Sequence, residues 1–226
     1  MGGRVTARLG DALRDVLARV ERSGAVDDEA ALEHERGKHE ARQNIERDQR
    51  RERIRVSGVA LALTGPVMDA LVRGRLEPRG TSQRAAERWL APGKPPVLVL
   101  QGGAGCGKTV AAAMALAQFG GLQRPAASVV RAFASRALDA TAEQERMLAT
   151  RLLVLDDLGT EHSRDREWMV LALRELLEAR QGARTLITTN LAREQAIEAY
   201  RDPRIESRLK VVAWVRDTGP DLRGAG

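Results

Sequence analysis

The stretch GGAGCGKT, Gly102–Thr109, follows the apolar run VLVL, Val97–Leu100, after one residue and leads into the helical run TVAAAMALAQF, which begins at Thr109. A strand, a glycine-rich loop with the spacing G-x-x-x-x-G-K-T and a helix, in this order, are typical of a loop that binds nucleotide phosphates. Glycine tolerates positive φ and close approach, so successive backbone N–H groups can converge on phosphate oxygens. The following helix adds the partial positive charge of its N-terminus. The sequence therefore predicts a site for a nucleoside triphosphate.

The residue types within this loop indicate their roles. Lys108 supplies a point charge near the β and γ phosphates, and the Thr109 hydroxyl is suited to bind Mg²⁺. Cys106 is interpreted as a small residue whose backbone faces the phosphates rather than as a nucleophile. The residues predicted to bind the nucleotide are Gly102, Gly103, Ala104, Gly105, Cys106, Gly107, Lys108, Thr109 and Val110.

Short apolar runs, rich in β-branched residues, predict five buried parallel strands. They are VLVL at Val97–Leu100, SVVRAF at Ser128–Phe133, LLVLD at Leu152–Asp156, TLITT at Thr185–Thr189 and VVAWV at Val211–Val215. Helical patterns lie between them. In REWMVLALRELLEAR the apolar residues recur at i, i+3, i+4 and i+7, namely Met169, Ala172, Leu173 and Leu176. The pattern predicts an α/β fold in which helices sandwich a five-stranded parallel sheet.

Polar side chains follow two of these predicted strands, at the edge of the sheet where ligands bind. Asp156 and Asp157 end the run RLLVLDDLG. Asp156 is suited to hold Mg²⁺ through its water shell, and Asp157 to orient or polarise an attacking water. Asn190 follows LITT, where its amide can bind the γ-phosphate or that water, or can simply form a turn. Tandem carboxylates favour hydrolysis of the nucleotide by water.

The segment DPRIESRLK carries Arg204 and Arg208 four residues apart, hence on one helical face. An arginine delivered to the γ-phosphate of a neighbouring subunit accelerates hydrolysis about 10³–10⁵-fold. Either residue can instead be an ordinary surface arginine. The residues alone leave both alternatives open.

The composition changes near residue 80, which predicts a helical, charged region over residues 1–80 and a nucleotide-binding domain over residues 81–226. The run Glu33–Arg55 mixes charges of both signs and contains almost no apolar residue. Such a helix is either a solvated face or an arm that contacts a partner protein or nucleic acid.

The overall composition limits the class of protein. Hydrophobic residues make up 43% and charged residues 30% of the 226, which indicates a folded protein, and the net charge of +6 favours polyanionic partners. The single cysteine, Cys106, excludes an internal disulfide and a cysteine-cluster metal site. No apolar run is long enough to span a membrane, and the first residues lack a secretory signal. We therefore expect a cytoplasmic protein without a membrane partner.

The stretches GGAGCGKT, LLVLDDLGTE, TLITTNL and DPRIESRL, in this order and spacing, resemble the AAA+ ATPases of the DnaC/IstB type. These are bacterial and phage replicative helicase loaders and transposition helper ATPases related to the initiator DnaA. The resemblance covers about residues 84–226 and implies a P-loop NTPase domain that binds ATP and Mg²⁺ and hydrolyses ATP. The resemblance implies that residues 102–109 form the Walker A loop and that Thr109 and Asp156 bind Mg²⁺. It implies that Lys108 and Asp157 are catalytic and that Asn190 is the sensor-1 residue. It also implies that Arg208 is the arginine finger that acts on a neighbouring subunit, with Arg204 as the second candidate.

The resemblance also implies a function. Such proteins bind the hexameric replicative DNA helicase through an N-terminal region and place it on single-stranded DNA, with ATP-dependent self-assembly. Residues 1–80 would be the partner-binding arm. A transposition helper that serves a transposase is one alternative, and a nucleotide-switched binding module with little turnover is another. A P-loop kinase is disfavoured by Asp157, Asn190 and the late arginines.

Overall fold

The computed structural model describes residues 31–59, 63, 65–135, 137–160, 165–210 and 212–221. The chain divides into two compact units, Met1–Glu46 and Arg47–Gly226. In the first unit the described residues, 31–46, are helical and exposed. Lys38 and Glu35 form an exposed ion pair at 2.9 Å, one turn apart, as expected for a solvated polar helix.

The second unit contains alternating helices and strands. Within the described residues its helices are α1 at residues 47–57, α2 at Gly65–Val72, α3 at Thr81–Trp89, α4 at Lys108–Phe119, α5 at Ala126–Ala134, α6 at Leu138–Ala149, α7 at Arg166–Ala179, α8 at Arg193–Ala199 and α9 at Pro203–Leu209. Its strands are β1 at Val97–Gly102, β2 at Leu122–Pro125, β3 at Leu152–Leu158, β4 at Arg184–Thr189 and β5 at Ala213–Asp217. No helix of the described part of the chain is long and apolar enough to cross a membrane.

The strands form one sheet in the order β2-β3-β4-β1-β5, and every neighbouring pair is parallel. The predicted five-stranded parallel sheet is therefore confirmed. Because all strands run the same way, the residues that follow β1, β3 and β4 meet at the carboxyl edge of the sheet. This is the edge at which open α/β sheets bind ligands.

The prediction for the second strand is wrong. Residues Ser128–Phe133 belong to helix α5, and the strand is Leu122–Pro125. A short apolar run with valines is compatible with either a buried strand or a buried helix segment, and here Val129 and Val130 lie on the buried face of the helix. The actual strand, LQRP, has no apolar pattern and ends in proline, which an edge strand tolerates.

The two faces of the sheet pack against different helices. Val99, Leu153, Leu155 and Ile187 belong to the core cluster of α5 and α7, which includes the predicted apolar stripe Met169, Ala172, Leu173 and Leu176. Leu98, Leu100, Val154 and Leu186 belong to the cluster of α3 and α4 on the other face. Since side chains alternate along a strand, Asp156 and Thr188 continue the second set, two residues after Val154 and Leu186. Both therefore lie on the face that α4 covers.

A buried arginine, Arg180, forms hydrogen bonds at the amino edge of the sheet. The Arg180 guanidinium is 3% exposed and donates to three carbonyls at the end of α6, those of Met147 at 2.8 Å, Leu148 at 3.1 Å and Thr150 at 2.8 Å. Burial lowers the pKa of Arg180 to about 10. The arginine supplies donors and positive charge to a helix C-terminus, where carbonyl groups lack intrahelical partners.

Candidate nucleotide-binding site

The phosphate loop joins the end of β1 to the start of α4. Gly105 and Gly107 have φ values of 78° and 98°, the left-handed region that favours glycine. Gly102 is needed for a different reason, because a Cβ there would lie 2.7 Å from the carbonyl oxygen of Asp217 and 2.7 Å from the sulfur of Cys106. At Gly103 a Cβ would meet nothing within 4 Å. Two of the four glycines thus provide the predicted backbone conformation, and a third permits close packing.

The Lys108 side chain connects this loop to β4. It is only 6% exposed, and its ammonium group donates to the carbonyls of Gly102 at 2.7 Å and Gly103 at 2.8 Å. It also donates to Oδ1 of Asn190 at 2.9 Å. Each of the three ammonium protons therefore has an acceptor, as a buried charge requires. The structure thus brings two predicted catalytic residues, Lys108 and Asn190, into direct contact.

Asp156 lies at the end of β3 with both carboxylate oxygens engaged. The hydroxyl of Thr188 donates to Oδ1 at 2.6 Å, and the amide nitrogen of Gln123 donates to Oδ2 at 2.6 Å. The pKa of Asp156 is raised, mainly by burial and further by the neighbouring charge of Asp157. The hydrogen bonds from Thr188 and Gln123 and the charge of Lys108 lower it, but by less. The carboxylate is thus held rigidly in a poorly hydrated position.

Asp157 departs from the strand geometry. Its φ is 56°, the one positive value for a non-glycine residue in the described chain, and the pairing of β3 with β4 shifts register between Leu155 and Leu158. Its backbone N–H donates to the Thr188 hydroxyl at 2.9 Å, and the Thr160 hydroxyl donates to its carbonyl at 2.7 Å. A bulge of this kind redirects a side chain at a functional edge, at a conformational cost of about 1–3 kcal/mol. The Asp157 carboxylate is exposed next to the buried Asp156.

The remaining predicted loop residues differ in burial. Thr109 and Val110 are half-buried in the first turn of α4, and Ala104 is exposed in the loop. Cys106 is buried, with its sulfur 3.8 Å from the Lys108 nitrogen. The packing of this sulfur against Gly102 is consistent with the interpretation of Cys106 as a small structural residue.

Sequence reasoning missed two residues of this cluster. Thr188 bridges the two acidic residues, since its hydroxyl donates to the Asp156 carboxylate and accepts from the Asp157 backbone. Side chains alternate along a strand, so the position of Thr188, two residues before Asn190, places it on the face that α4 covers. Thr188 could therefore have been predicted from the sequence. Gln123 lies on the strand that the sequence analysis misplaced. Its Oε1 is buried and has no hydrogen-bond partner among the described residues, a condition that costs about 1–3 kcal/mol.

The structure does not bring Arg208 to this cluster. With the Gln181 amide turned so that its oxygen faces Arg208, Oε1 accepts from Nη1 at 2.8 Å and from Nη2 at 3.1 Å. Gln181 lies three residues before the start of β4, so this contact is at the amino edge of the sheet. A cavity of about 90 Å³ there is also lined by Val97 and Val212, near the starts of β1 and β5. The phosphate loop lies at the other end of β1. For a strand of six residues this is a separation of roughly 20 Å.

Comparison with solved structures identifies the fold. The crystal structure of the DnaC helicase loader matches with a TM-score of 0.52 and 20% sequence identity, over 69% of this chain and all 100% of that one. The protein has a DnaC-like AAA+ fold. The crystal structure of DnaI also matches, with a TM-score of 0.47 and 27% identity over 62% of this chain and 81% of that chain. Domain III of the Thermotoga maritima replication initiation protein DnaA matches with a TM-score of 0.49 and 14% identity, over 62% of each chain.

No protein-family model and no curated protein matches the sequence. The predicted fold, a five-stranded parallel sheet between helices, is nevertheless confirmed by the strand order and by the likeness to the DnaC structure.

The side chains of this DnaC-like AAA+ fold are compatible with magnesium and a nucleoside triphosphate. Mg²⁺ usually takes only one or two protein oxygens and completes its shell with waters and phosphate oxygens. Asp156 and Thr109 offer such a small set, and within the described ranges no group of three or more His, Cys, Asp or Glu side chains could hold a metal alone. The Oε1 of Gln123, which has no partner among the described residues, is available to accept from a water that such an ion would hold. The residues present therefore fit the ion and the nucleotide.

Proposed function

We propose that the protein is an ATP-binding and ATP-hydrolysing helicase loader that binds a replicative DNA helicase and helps to place it on single-stranded DNA during replication initiation. The observation that carries the ATPase part is the convergence of the Lys108–Asn190 contact and the Asp156–Thr188–Asp157 network beside the phosphate loop. Its setting is a fold shared with a protein described as a helicase loader.

In this proposal each side chain has one task. Lys108 neutralises charge on the phosphates, and Asn190, which accepts from the Lys108 ammonium, positions that ammonium and the γ-phosphate end of the site. Asp156 and Thr109 hold Mg²⁺, which when bound neutralises charge on the β and γ phosphates. Asp157, exposed on its bulge, orients the attacking water and accepts its proton.

Arg208 serves the site of a second copy of the chain. Its place at the amino edge of the sheet prevents it from reaching its own phosphate loop, so a role at the γ-phosphate requires an ATP-dependent homo-oligomer. Arg204 is the weaker candidate because it already pairs with a carboxylate, that of Glu178 at 3.5 Å. Arg208 instead donates to a neutral amide, that of Gln181.

Single-stranded DNA is the proposed nucleic-acid partner. Between α5 and α7 a cavity of about 340 Å³ is lined by Arg131 and Trp168, and the Trp168 side chain is 45% exposed. An exposed indole in a cavity that an arginine and an aspartate, Asp165, also line can stack a base, worth about 1–3 kcal/mol. Trp168→Ala should therefore weaken binding of a fluorescent oligonucleotide about tenfold or more, and an unchanged affinity would exclude this surface.

The N-terminal region, residues 1–80, is the proposed arm for the helicase. Its described part in the first unit, residues 31–46, is an exposed helix with charges of both signs, and it exposes the apolar side chains of Leu32 and Ile45 by 61% and 58%. Isolated exposed apolar side chains are normal on a protein surface, so the feature that supports a partner-binding arm is the exposed helix with charges of both signs.

The full chain, immobilised with a non-hydrolysable ATP analogue, tests the choice of partner. We expect it to retain a hexameric DNA helicase from a lysate of the source cells, identified by mass spectrometry. A matched chain that begins at Arg47 keeps the second compact unit and should lose the helicase. Recovery of a transposase would instead establish a transposition helper. If neither protein is retained, the loader proposal is wrong.

A further inference from the structure

The buried side chain of Gln123 has two polar atoms, and only one of them has a hydrogen-bond partner among the described residues. It is 7% exposed, and its Nε2 donates to Oδ2 of Asp156 at 2.6 Å. Its Oε1 is buried and meets no donor in the part of the chain that the structure describes. Buried side-chain oxygens in folded proteins nearly always have a partner, so an oxygen without one indicates that a donor from outside the protein belongs there.

The orientation of this amide is set by its surroundings. A carboxylate only accepts hydrogen bonds, so the Nε2 end must face Asp156 and the Oε1 end must face away. The backbone is fastened as well: Gln123 pairs with Val154 of β3, and its carbonyl accepts from Nη1 of Arg124 at 2.7 Å. Arg124 is itself held by an ion pair with Glu143. The side chain therefore has little freedom to turn its oxygen elsewhere.

The choice of donor follows from the neighbours. Oε1 faces away from Asp156, but it shares one carbon with the Nε2 that contacts Oδ2 of Asp156, so a single water can reach both Oε1 and that carboxylate. Lys108 is no candidate, because its three protons already have acceptors. A water molecule that is bound to a cation, and hence a strong donor, satisfies both an acceptor amide and an adjacent carboxylate.

We propose that Gln123 is a positioning residue for the magnesium site: its Nε2 orients Asp156, and its Oε1 accepts a hydrogen bond from a water of the magnesium ion. The inference rests on the proposed nucleotide site and adds the residue that supports the ion. Residues that orient metal ligands in this way typically contribute 10–100-fold to metal affinity.

Manganese binding measures this role without any turnover. Mn²⁺ is titrated into the full-length protein with a non-hydrolysable ATP analogue and followed by electron paramagnetic resonance. Gln123→Leu, similar in volume, should weaken Mn²⁺ binding about tenfold, while affinity for the analogue in EDTA stays within about twofold of wild type. Gln144→Leu is the matched control, since Gln144 is half-buried and donates to the carbonyl of Ala132 at 2.6 Å on another helix pair.

A double variant separates positioning from folding. If Gln123 acts through Asp156 and its ion, Gln123→Leu should have no further effect on Mn²⁺ affinity in an Asp156→Asn background. Should Gln123→Leu not fold, Gln123→Met replaces it in the same titrations. Wild-type Mn²⁺ affinity in the Gln123 variants overturns this inference and leaves the proposed function intact. Absence of nucleotide-dependent Mn²⁺ binding in the wild type overturns both.

Discussion

Lys108 shows how one residue joins separate parts of the chain. Its buried ammonium group donates to two loop carbonyls and to the amide oxygen of Asn190, which directly follows β4 and lies 82 residues away in sequence. A buried ammonium is tolerated only when its protons are satisfied. The same contacts keep the charge at the mouth of the phosphate loop, ready for an anion.

Replacing Lys108 by alanine removes that charge and its hydrogen bonds. We expect affinity for a fluorescent ATP analogue to fall about a hundredfold, equivalent to about 2.8 kcal/mol, because the phosphates lose their nearest cation. Lys94→Ala is the matched control, since Lys94 is exposed before β1. Equal affinities for both variants would show that the loop is not the nucleotide site.

Asp157→Asn separates binding from chemistry. An amide cannot accept a proton from water, so steady-state ATP hydrolysis should fall about 10²–10⁴-fold. Nucleotide affinity should stay near that of wild type, because Asp157 is exposed and its backbone contacts are retained. Asp139→Asn, at an exposed position on α6, should hydrolyse ATP normally. A variant that still supports partner loading despite lost turnover would favour the nucleotide-switched binding module.

At the scale of elements, Asp217 joins the end of β5 to the start of α3. Its Oδ2 accepts from the backbone N–H of Ser82 at 2.8 Å, and its Oδ1 accepts from that of Gly219 at 2.9 Å. Burial works to raise the pKa of Asp217, but the hydrogen bonds from Ser82 and Gly219 and the charge of Lys108 lower it overall. A carboxylate thus caps a helix N-terminus 135 residues away in sequence.

Asp217→Asn should destabilise the fold in a pH-dependent way. At neutral pH we expect a loss of about 1–3 kcal/mol in the free energy of unfolding, because the amide offers only one acceptor to two N–H groups. A lowered pKa in the folded state stabilises it above the ordinary value of 3.8, and this stabilisation is lost as the pH falls through the lowered pKa.

Urea unfolding at a series of pH values measures this effect. The difference between wild type and Asp217→Asn should be constant near neutral pH and should shrink below about pH 4. Asp69→Asn is the control, because Asp69 is exposed on α2 and forms an exposed ion pair with Arg73, the residue that follows the helix. A difference that stays constant down to pH 2 would show that the charge of Asp217 does not contribute.

The elements also show what the sequence can and cannot predict. The approach of Lys108, Asp156 and Asn190 was predictable, since Asp156 lies near the carboxyl end of β3, Lys108 and Asn190 come after β1 and β4, and parallel strands end at one edge. The second strand was not, because the valines of α5 have the composition of a strand, while LQRP pairs through its backbone alone. Gln123 lies on that strand and was therefore not predicted as a site residue. The bulge at Asp157 depends on a contact with Thr188, 31 residues away, that no local sequence pattern predicts.

At the scale of the whole molecule, the proposed site is divided between two edges of the sheet. The phosphate loop and the acidic residues lie at the carboxyl edge, and Arg208 lies at the amino edge with Gln181. In a parallel sheet the amino and carboxyl ends of the strands lie on opposite sides, a full strand length apart. A second copy must therefore supply the arginine if Arg208 acts on the γ-phosphate.

Mixing two defective variants tests this arrangement. Arg208→Ala keeps an intact acidic pair, and Asp157→Asn keeps an intact arginine, so each alone should hydrolyse ATP poorly, whereas an equimolar mixture should recover a measurable fraction of wild-type activity. Arg204→Ala loses only an exposed ion pair and should be nearly wild type on its own. A mixture no more active than the mean of its components would exclude a shared site.

The length of the strands has a kinetic consequence. Since roughly 20 Å of sheet separates Arg208 from the phosphate loop, no side-chain rotation within one molecule joins them. Hydrolysis that depends on Arg208 must then follow encounters between molecules, so the rate per chain should rise with protein concentration and level off when the encounters saturate. Dilution of the protein alone would then lower the rate of ATP hydrolysis per chain, although every residue of the pocket stays in place.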